Sequence, residues 1–447
     1  MIKITSNKLR WAFSAFFSLL ILFGTYRNVF SLAAFLGCCL MIFFCDKESI
    51  LYQLFFIMPM ANIFKLAPGV QSFFTILILL YVILHLVLPR RATSLVVLFG
   101  VYLVVTQLFT ANFNLFRTVK LVCNILFLSS ILNTEVKLRH REIFMSYIVG
   151  NIVSSVFGLM DSNIFKIESY VGTVELGISE FGEDTVRFVG LYTDPNYYAV
   201  GLIISLCLLV VLFHRNEINA FAAAVFTVPM IYFLIITYSK SAIIMLFIPF
   251  IMLLYSLLQR KSFITAIIFM LLSVVVVYLA LTGRIPALEI VLSRIFESGS
   301  SGDLNQLTTG RLNLWLMYAK YIVNDIKIFL FGKGLGAGFL NGRAAHNTYL
   351  DIFYYFGMFG GTLLITSLFT ISKQSRQGFK RKKNLLNYSV LICILLMYFF
   401  LSEVLYFDPP FHIILSFLVL NLPFTAENDE EKHNNMENCD EKSINCV

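Results

Sequence analysis

Residues 194–213 read DPNYYAVGLIISLCLLVVLF. Asp followed by Pro is the usual opening of a helix, since proline suits the first helical position and an acid caps it. From Tyr197 to Phe213 no side chain carries a charge. As a helix that stretch runs about 25 Å, close to the thickness of a bilayer's hydrocarbon layer. A soluble domain has little use for so long an uncharged helix.

The pattern recurs. Of 447 residues, 58% are hydrophobic and 13% charged, and the mean hydropathy is +0.81. Soluble chains are nearer half apolar and a quarter charged. A transmembrane β-barrel would instead alternate over segments of about ten residues. Fourteen candidate spans follow, near residues 9–24, 29–45, 50–66, 70–88, 94–110, 115–132, 143–160, 197–213, 220–238, 241–258, 263–281, 347–371, 387–406 and 411–424. Because the first, second and last are short, the expectation is an all-α, polytopic membrane protein of 12–14 helices. Residues 1–424 form one membrane domain, and 425–447 an acidic tail of disordered composition. Lys3, Lys8 and Arg10 precede the first apolar run without a small-residue cleavage site, which predicts a retained first helix.

Charge sets the orientation. With the N-terminus in the cytoplasm, the short inner connections carry eighteen basic residues and the short outer ones three (Arg27, Lys65 and Lys240). Such asymmetry is the positive-inside signal, and it explains the net charge of +8 without a nucleic-acid partner. Both termini then lie in the cytoplasm, and the two long polar segments, 161–196 and 282–346, lie outside. None of the eight cysteines falls in an outer segment, so no disulfide framework is implied. Neither a metal-ligand spacing nor a cofactor motif is present.

Ionisable groups gathered at one face of a bilayer mark the place for chemistry. His346 precedes Asn347 and Thr348 at a span's start, where it can exchange protons near neutral pH. Arg187, Arg284, Arg294, Arg311 and Arg343 lie in the outer segments. Arg117 and Lys120 share a face in the outer part of the sixth span, at a cost that an anionic partner would offset. Lys240 sits in a short turn between Ser239 and Ser241. Asp194, Pro195 and Asn196 open a helix whose N-terminus favours anions, although the Asp194 carboxylate would oppose one there. Leu312, Trp315, Ala319, Ile322 and Val323 recur at helical spacing and predict a helix on the outer membrane surface, with Trp315 at headgroup level. Gly332, Gly334, Gly336 and Gly338 predict a flexible, tightly turning connection. Glu403, near the outer end of a span, is a weaker candidate. Each charged residue also has a plainer reading, as a solvated or snorkelling surface charge.

Taken in order, several stretches resemble the O-antigen polymerase and ligase superfamily. They are Gly310-Arg311-Leu312-Asn313-Leu314-Trp315, Phe331-Gly332-Lys333-Gly334-Leu335-Gly336, Ala345-His346-Asn347-Thr348, and Phe356-Gly357-Met358-Phe359-Gly360-Gly361. Asp194-Pro195-Asn196-Tyr197-Tyr198 and Thr237-Tyr238-Ser239-Lys240-Ser241 are similar to two further family segments, with lysine where arginine is usual. The likeness covers roughly residues 185–365. It implies a membrane glycosyltransferase of the bacterial plasma membrane acting on undecaprenyl-pyrophosphate-linked oligosaccharide. It needs neither nucleotide nor metal, because the pyrophosphate-linked sugar carries the driving energy. The expected activity is polymerisation of repeat units into O-antigen, capsule or exopolysaccharide, with a chain-length regulator and a flippase as partners beside membrane lipid. A ligase that transfers glycan to lipid A–core is the alternative within the family, and a lipid-linked oligosaccharide flippase or transporter the alternative outside it. On this reading Arg187, Arg311 and His346 are catalytic. Arg343, Asn347, Arg117, Lys120, Lys240, Asp194, Asn196, Arg284 and Arg294 bind substrate.

The topology is testable by labelling single cysteines in a cysteine-free background with a membrane-impermeant maleimide. Arg343→Cys should react from outside intact cells, whereas Lys261→Cys should react only after the membrane is opened.

Overall fold

The computed structural model describes residues 7–134, 138–160, 162–175, 186–262, 310–375, 385–402 and 412–421, with scattered positions between 264 and 296. Apart from one two-residue antiparallel pairing, β1 (Val174–Glu175) with β2 (Val186–Arg187), the regular elements are helices. They are α1 (Asn7–Gly24), α2 (Asn28–Phe44), α3 (Lys47–Ile57), α4 (Phe73–His85), α5 (Arg90–Phe109), α6 (Leu115–Leu132) and α7 (His140–Phe157). Next come α8 (Pro195–His214), α9 (Ala220–Ile235), α10 (Lys240–Met245) and α11 (Phe247–Gln259). The last five are α12 (Arg311–Asn324), α13 (Ile326–Phe331), α14 (Thr348–Lys373), α15 (Leu386–Met397) and α16 (His412–Leu420). Two single-turn helices fall within 162–171.

Five of these are long and apolar enough to cross a membrane: α5, α6, α8, α14, and α10 with α11 taken together across their break at Leu246. α2, α4, α9 and α15 are shorter apolar helices. The protein is therefore a helical membrane protein. The expected span at 263–281 and the tail lie mostly or wholly outside the described residues, as do Arg294 and Glu403.

The expected span at 50–66 folds differently. α3 ends at Ile57, Met58–Met60 form a 3-10 turn around Pro59, and the chain turns back. Proline has no N–H to continue the ladder, and two polar side chains hold the reversal. Ser72 Oγ donates to Ala61 O at 2.6 Å, and Asn62 Nδ2 donates to Leu191 O at 3.2 Å. From Glu48 to Ile57 every residue of α3 is buried. A helix buried on every side lies inside the bundle, so α3 is a core element packed on α7.

α8 is the other interior helix, with 83% of its apolar window inside the protein. It packs against α7, α9, α11 and α15. Ser155 in the last turn of α7 bonds Tyr198 in the first turn of α8 at 2.5 Å. The opposite end of α7 carries a charged network. Arg10 pairs with Glu142 and lies 3.8 Å from Glu48. Arg139 reaches Glu48 at 2.7 Å and Glu142 at 2.9 Å. Arg10 is 2% exposed and Glu48 7%, so each charge is held by its partners rather than by water.

Removing one member leaves a buried charge uncompensated. Glu48→Gln should destabilise the detergent-solubilised protein by roughly 3 kcal/mol, the low end for a broken buried pair because Glu142 still serves Arg10. Thermal unfolding measures this, and an unchanged midpoint would show the network to be idle.

Candidate functional site

The end of the bundle away from that network holds the site, and the start of α8 is its centre. Asp194 caps the helix, its Oδ1 accepting from Asn196 N at 2.7 Å and Tyr197 N at 3.4 Å. The next side chain gathers one half of the site. Asn196 Oδ1 accepts from Arg187 Nη2 at 3.3 Å and from Ser239 Oγ at 2.7 Å. Arg187 Nε also donates to Thr237 O at 2.9 Å, and Phe188 N to Ile236 O at 3.1 Å. Residues 187–188 thus run along the end of α9. Lys240 follows Ser239 at the start of α10 and is half-buried.

The other half comes from α12, the loop before α14, and the chain after α15. Asn347 caps α14, accepting from Tyr349 N at 3.0 Å and Leu350 N at 3.1 Å. His346 just before it takes a left-handed backbone, φ 49°, uncommon for a residue with a side chain. Two rings of α12 fix the approach to it. Trp315 Nε1 donates to Ala345 O at 3.0 Å, and Tyr318 OH to Arg343 O at 2.7 Å. The helix expected at 312–323 therefore forms, and the indole N–H of Trp315 serves the histidine loop.

Residues 398–402 join the two halves. Past the end of α15 their carbonyls have no helical partner, and four of the five take a donor from another element. Tyr398 O accepts from Thr348 N at 2.8 Å and Leu401 O from Thr348 Oγ1 at 2.7 Å. Phe400 O accepts from Arg311 Nη1 at 2.8 Å, and Ser402 O from Tyr197 OH. The Arg311 guanidinium is thereby brought beside the first turn of α8. A narrow, partly open cleft of about 10 Å³, room for one water-sized group, runs below this junction. Asn196 and Ser241 line its polar end, and Val200, Met245, Met397 and Leu401 line the rest.

The electrostatics follow from the placement. Burial first, then the Arg311 charge, hold His346 below its ordinary value of 6.5, and Asp194 partly opposes them. A cation and a low-dielectric setting both disfavour a second positive charge. Burial also loosens Arg311's hold on its proton, while Asp194 and Tyr197 strengthen it. The result is a neutral imidazole beside a guanidinium and a carboxylate, able to accept a proton next to a place suited to anions.

Not every expected residue joins this cluster. Arg117 Nη1 donates to Leu335 O at 3.0 Å and so braces the glycine-rich turn. Lys120 is buried at 5% exposure within the α6 packing. Arg343 and Arg284 are exposed, and no bond among the described residues ties either side chain to the cluster. The glycine-rich turn is pinned, against the expectation of flexibility. Lys333 N donates to Tyr354 O at 2.7 Å, Gly334 N to Tyr355 O at 3.0 Å and Gly336 N to Asn112 O at 2.8 Å. It crosses α14 where that helix breaks at Gly357, φ 63°. A Cβ on Gly332 or on Gly357 would overlap the other strand's backbone, so glycine here permits close approach.

Sequence reasoning missed Ser239, the Tyr197 hydroxyl and the 398–402 carbonyls as parts of the site. Backbone acceptors leave no mark in side-chain identity. No protein-family model, curated protein or solved structure matches this chain.

Proposed function

We propose that this protein polymerises polysaccharide repeat units carried on undecaprenyl pyrophosphate, at the outer face of the bacterial plasma membrane. The single observation that carries the reading is the convergence of Arg187, Arg311 and His346 on the start of α8, through Asn196, Asp194 and the 398–402 carbonyls. The family likeness noted in the sequence supports the substrate class. The basic residues of the short inner connections support the orientation, with both termini in the cytoplasm and the long polar segments outside.

In this reaction the acceptor sugar's hydroxyl oxygen attacks the anomeric carbon of the donor glycan. The carbon–oxygen bond to the pyrophosphate breaks, and its electron pair leaves with the phosphate oxygen. The hydroxyl proton passes to the neutral His346. Arg187 and Arg311 face the charge that grows on the leaving diphosphate, where fixed cations lower the barrier most. Asn196 and Thr237 O hold Arg187, and Phe400 O holds Arg311, so neither guanidinium must reorganise.

Arg187→Ala, Arg311→Ala and His346→Ala should each cut polymer formation from purified lipid-linked units by roughly 10²–10⁴-fold. Ladders of normal length and amount from all three in a null strain would end the proposal. A protein that only moved such units across liposomes would point to a transporter instead.

The pH dependence has a definite sign. Because the active form of His346 is neutral and its pKa is depressed, kcat/KM should rise with pH along an acid limb centred below 6.5. Arg311→Gln removes a cation that opposes the imidazolium, so the limb of its residual activity should move upward. A limb that stayed in place would separate His346 from Arg311.

A further inference from the structure

The carboxylate of Asp194 stands where an anion would be expected. It caps a 20-residue helix, taking two of the N–H groups that make a helix N-terminus attractive to phosphate. Arg187 reaches that same helix start through Asn196. Arg311 reaches it from the other side, because Arg311 and Tyr197 both donate to the 400–402 segment, and Tyr197 N in turn bonds Asp194. The carboxylate caps the positive end of a helix dipole; its charge acts on Arg311 without an ion pair, and Arg187 lies one side chain away, on Asn196. For a site that only had to capture a diphosphate, a neutral cap such as serine or asparagine would serve the helix equally well.

We infer that Asp194 is the resident counter-anion of the site: it holds the place of a diphosphate in the empty protein, yields it on binding, and resumes it to expel the product. This rests on the reading of Arg187 and Arg311 as diphosphate ligands and adds a release function to it. Two arginines around a half-buried helix start would bind a multiply charged leaving group tightly and let it go slowly. A fixed negative charge beside it weakens bound ground state and product together. Between turnovers the Asp194 charge also favours the charged form of Arg311 across space, while Phe400 O holds the guanidinium directly. Asp194 is thus a specificity and release residue, distinct from the groups that contact the reacting carbon.

The test uses Asp194→Asn in the full-length protein in detergent. Asparagine caps helices as well as aspartate, so the thermal midpoint should hold, and Asp194→Ser is a second variant that keeps the cap. Titration calorimetry with inorganic pyrophosphate, and separately with farnesyl diphosphate, measures the headgroup alone and on a prenyl chain. Removing one adjacent unit charge should tighten both by roughly tenfold or more. In the polymerisation assay, KM for the lipid-linked donor and kcat should fall together, with stronger inhibition by added undecaprenyl diphosphate. Tightening of farnesyl diphosphate alone would assign the effect to the lipid-borne group, still as inferred. Unchanged or weaker binding of both ligands to either variant, with the wild type binding them, would overturn the inference and leave the arginine site standing. If the wild type binds neither ligand better than the Arg187→Gln/Arg311→Gln protein does, the anion site itself fails, and the release role with it.

Discussion

The architecture of this end of the molecule depends on four carbonyl groups that a helix leaves behind. Past Met397, α15 stops, and Tyr398, Phe400, Leu401 and Ser402 offer acceptors with no helical donor to satisfy them. A buried peptide group left unpaired is costly, and each of these four has a partner. The partners come from three distant parts of the chain: Tyr197 on α8, Arg311 on α12 and Thr348 on α14. Backbone demand, more than side-chain attraction, draws the arginine and the histidine loop together. A guanidinium is a natural answer to such demand because it has donors to spare. One of its nitrogens serves the carbonyl while its charge stays available.

The same economy shapes the interior. α3 and α8 are sheathed by other helices, and both start from acidic caps, Asp46 and Asp194. Around them, small hydroxyl residues such as Ser146, Ser154, Ser155 and Ser205 are fully buried. Ser155 and Ser205 return their hydroxyl groups to carbonyls one turn back. Small side chains let helices approach closely where apolar burial gives no preference for protein over lipid. The rigidity of this packing lets a loop such as 186–196 hold an arginine in one place.

Much of this could be read in the sequence. The apolar runs marked the helices, and Asp-Pro-Asn and His-Asn-Thr marked the two capped helix starts that border the site. Arg187, Arg311 and His346 were recognisable because charge is scarce in such a chain. Other features stayed hidden. Arg117 and Lys120 looked like ligands because a charge in a span asks for a partner, and for Arg117 the partner is a carbonyl of the glycine-rich turn. The turn itself looked loose because glycine permits freedom. Here glycine permits contact, and Tyr102 closes the crossing by donating to Phe331 O and Phe356 O. The stretch 50–66 read as a span because its composition is apolar, which does not distinguish lipid from protein as the surroundings.

The ionic cluster of Arg10, Glu48, Arg139 and Glu142 draws only on residues among the first 142. During synthesis, then, the early helices can close on one another while the ribosome is still building the remainder. Arg311 and Thr348 have no such option, since their acceptors belong to positions 398–401. A nascent chain can therefore complete its ionic cluster long before the acceptors for Arg311 and Thr348 are made. Premature termination between residues 143 and 397 would keep that cluster and remove every acceptor that Arg311 and Thr348 use there.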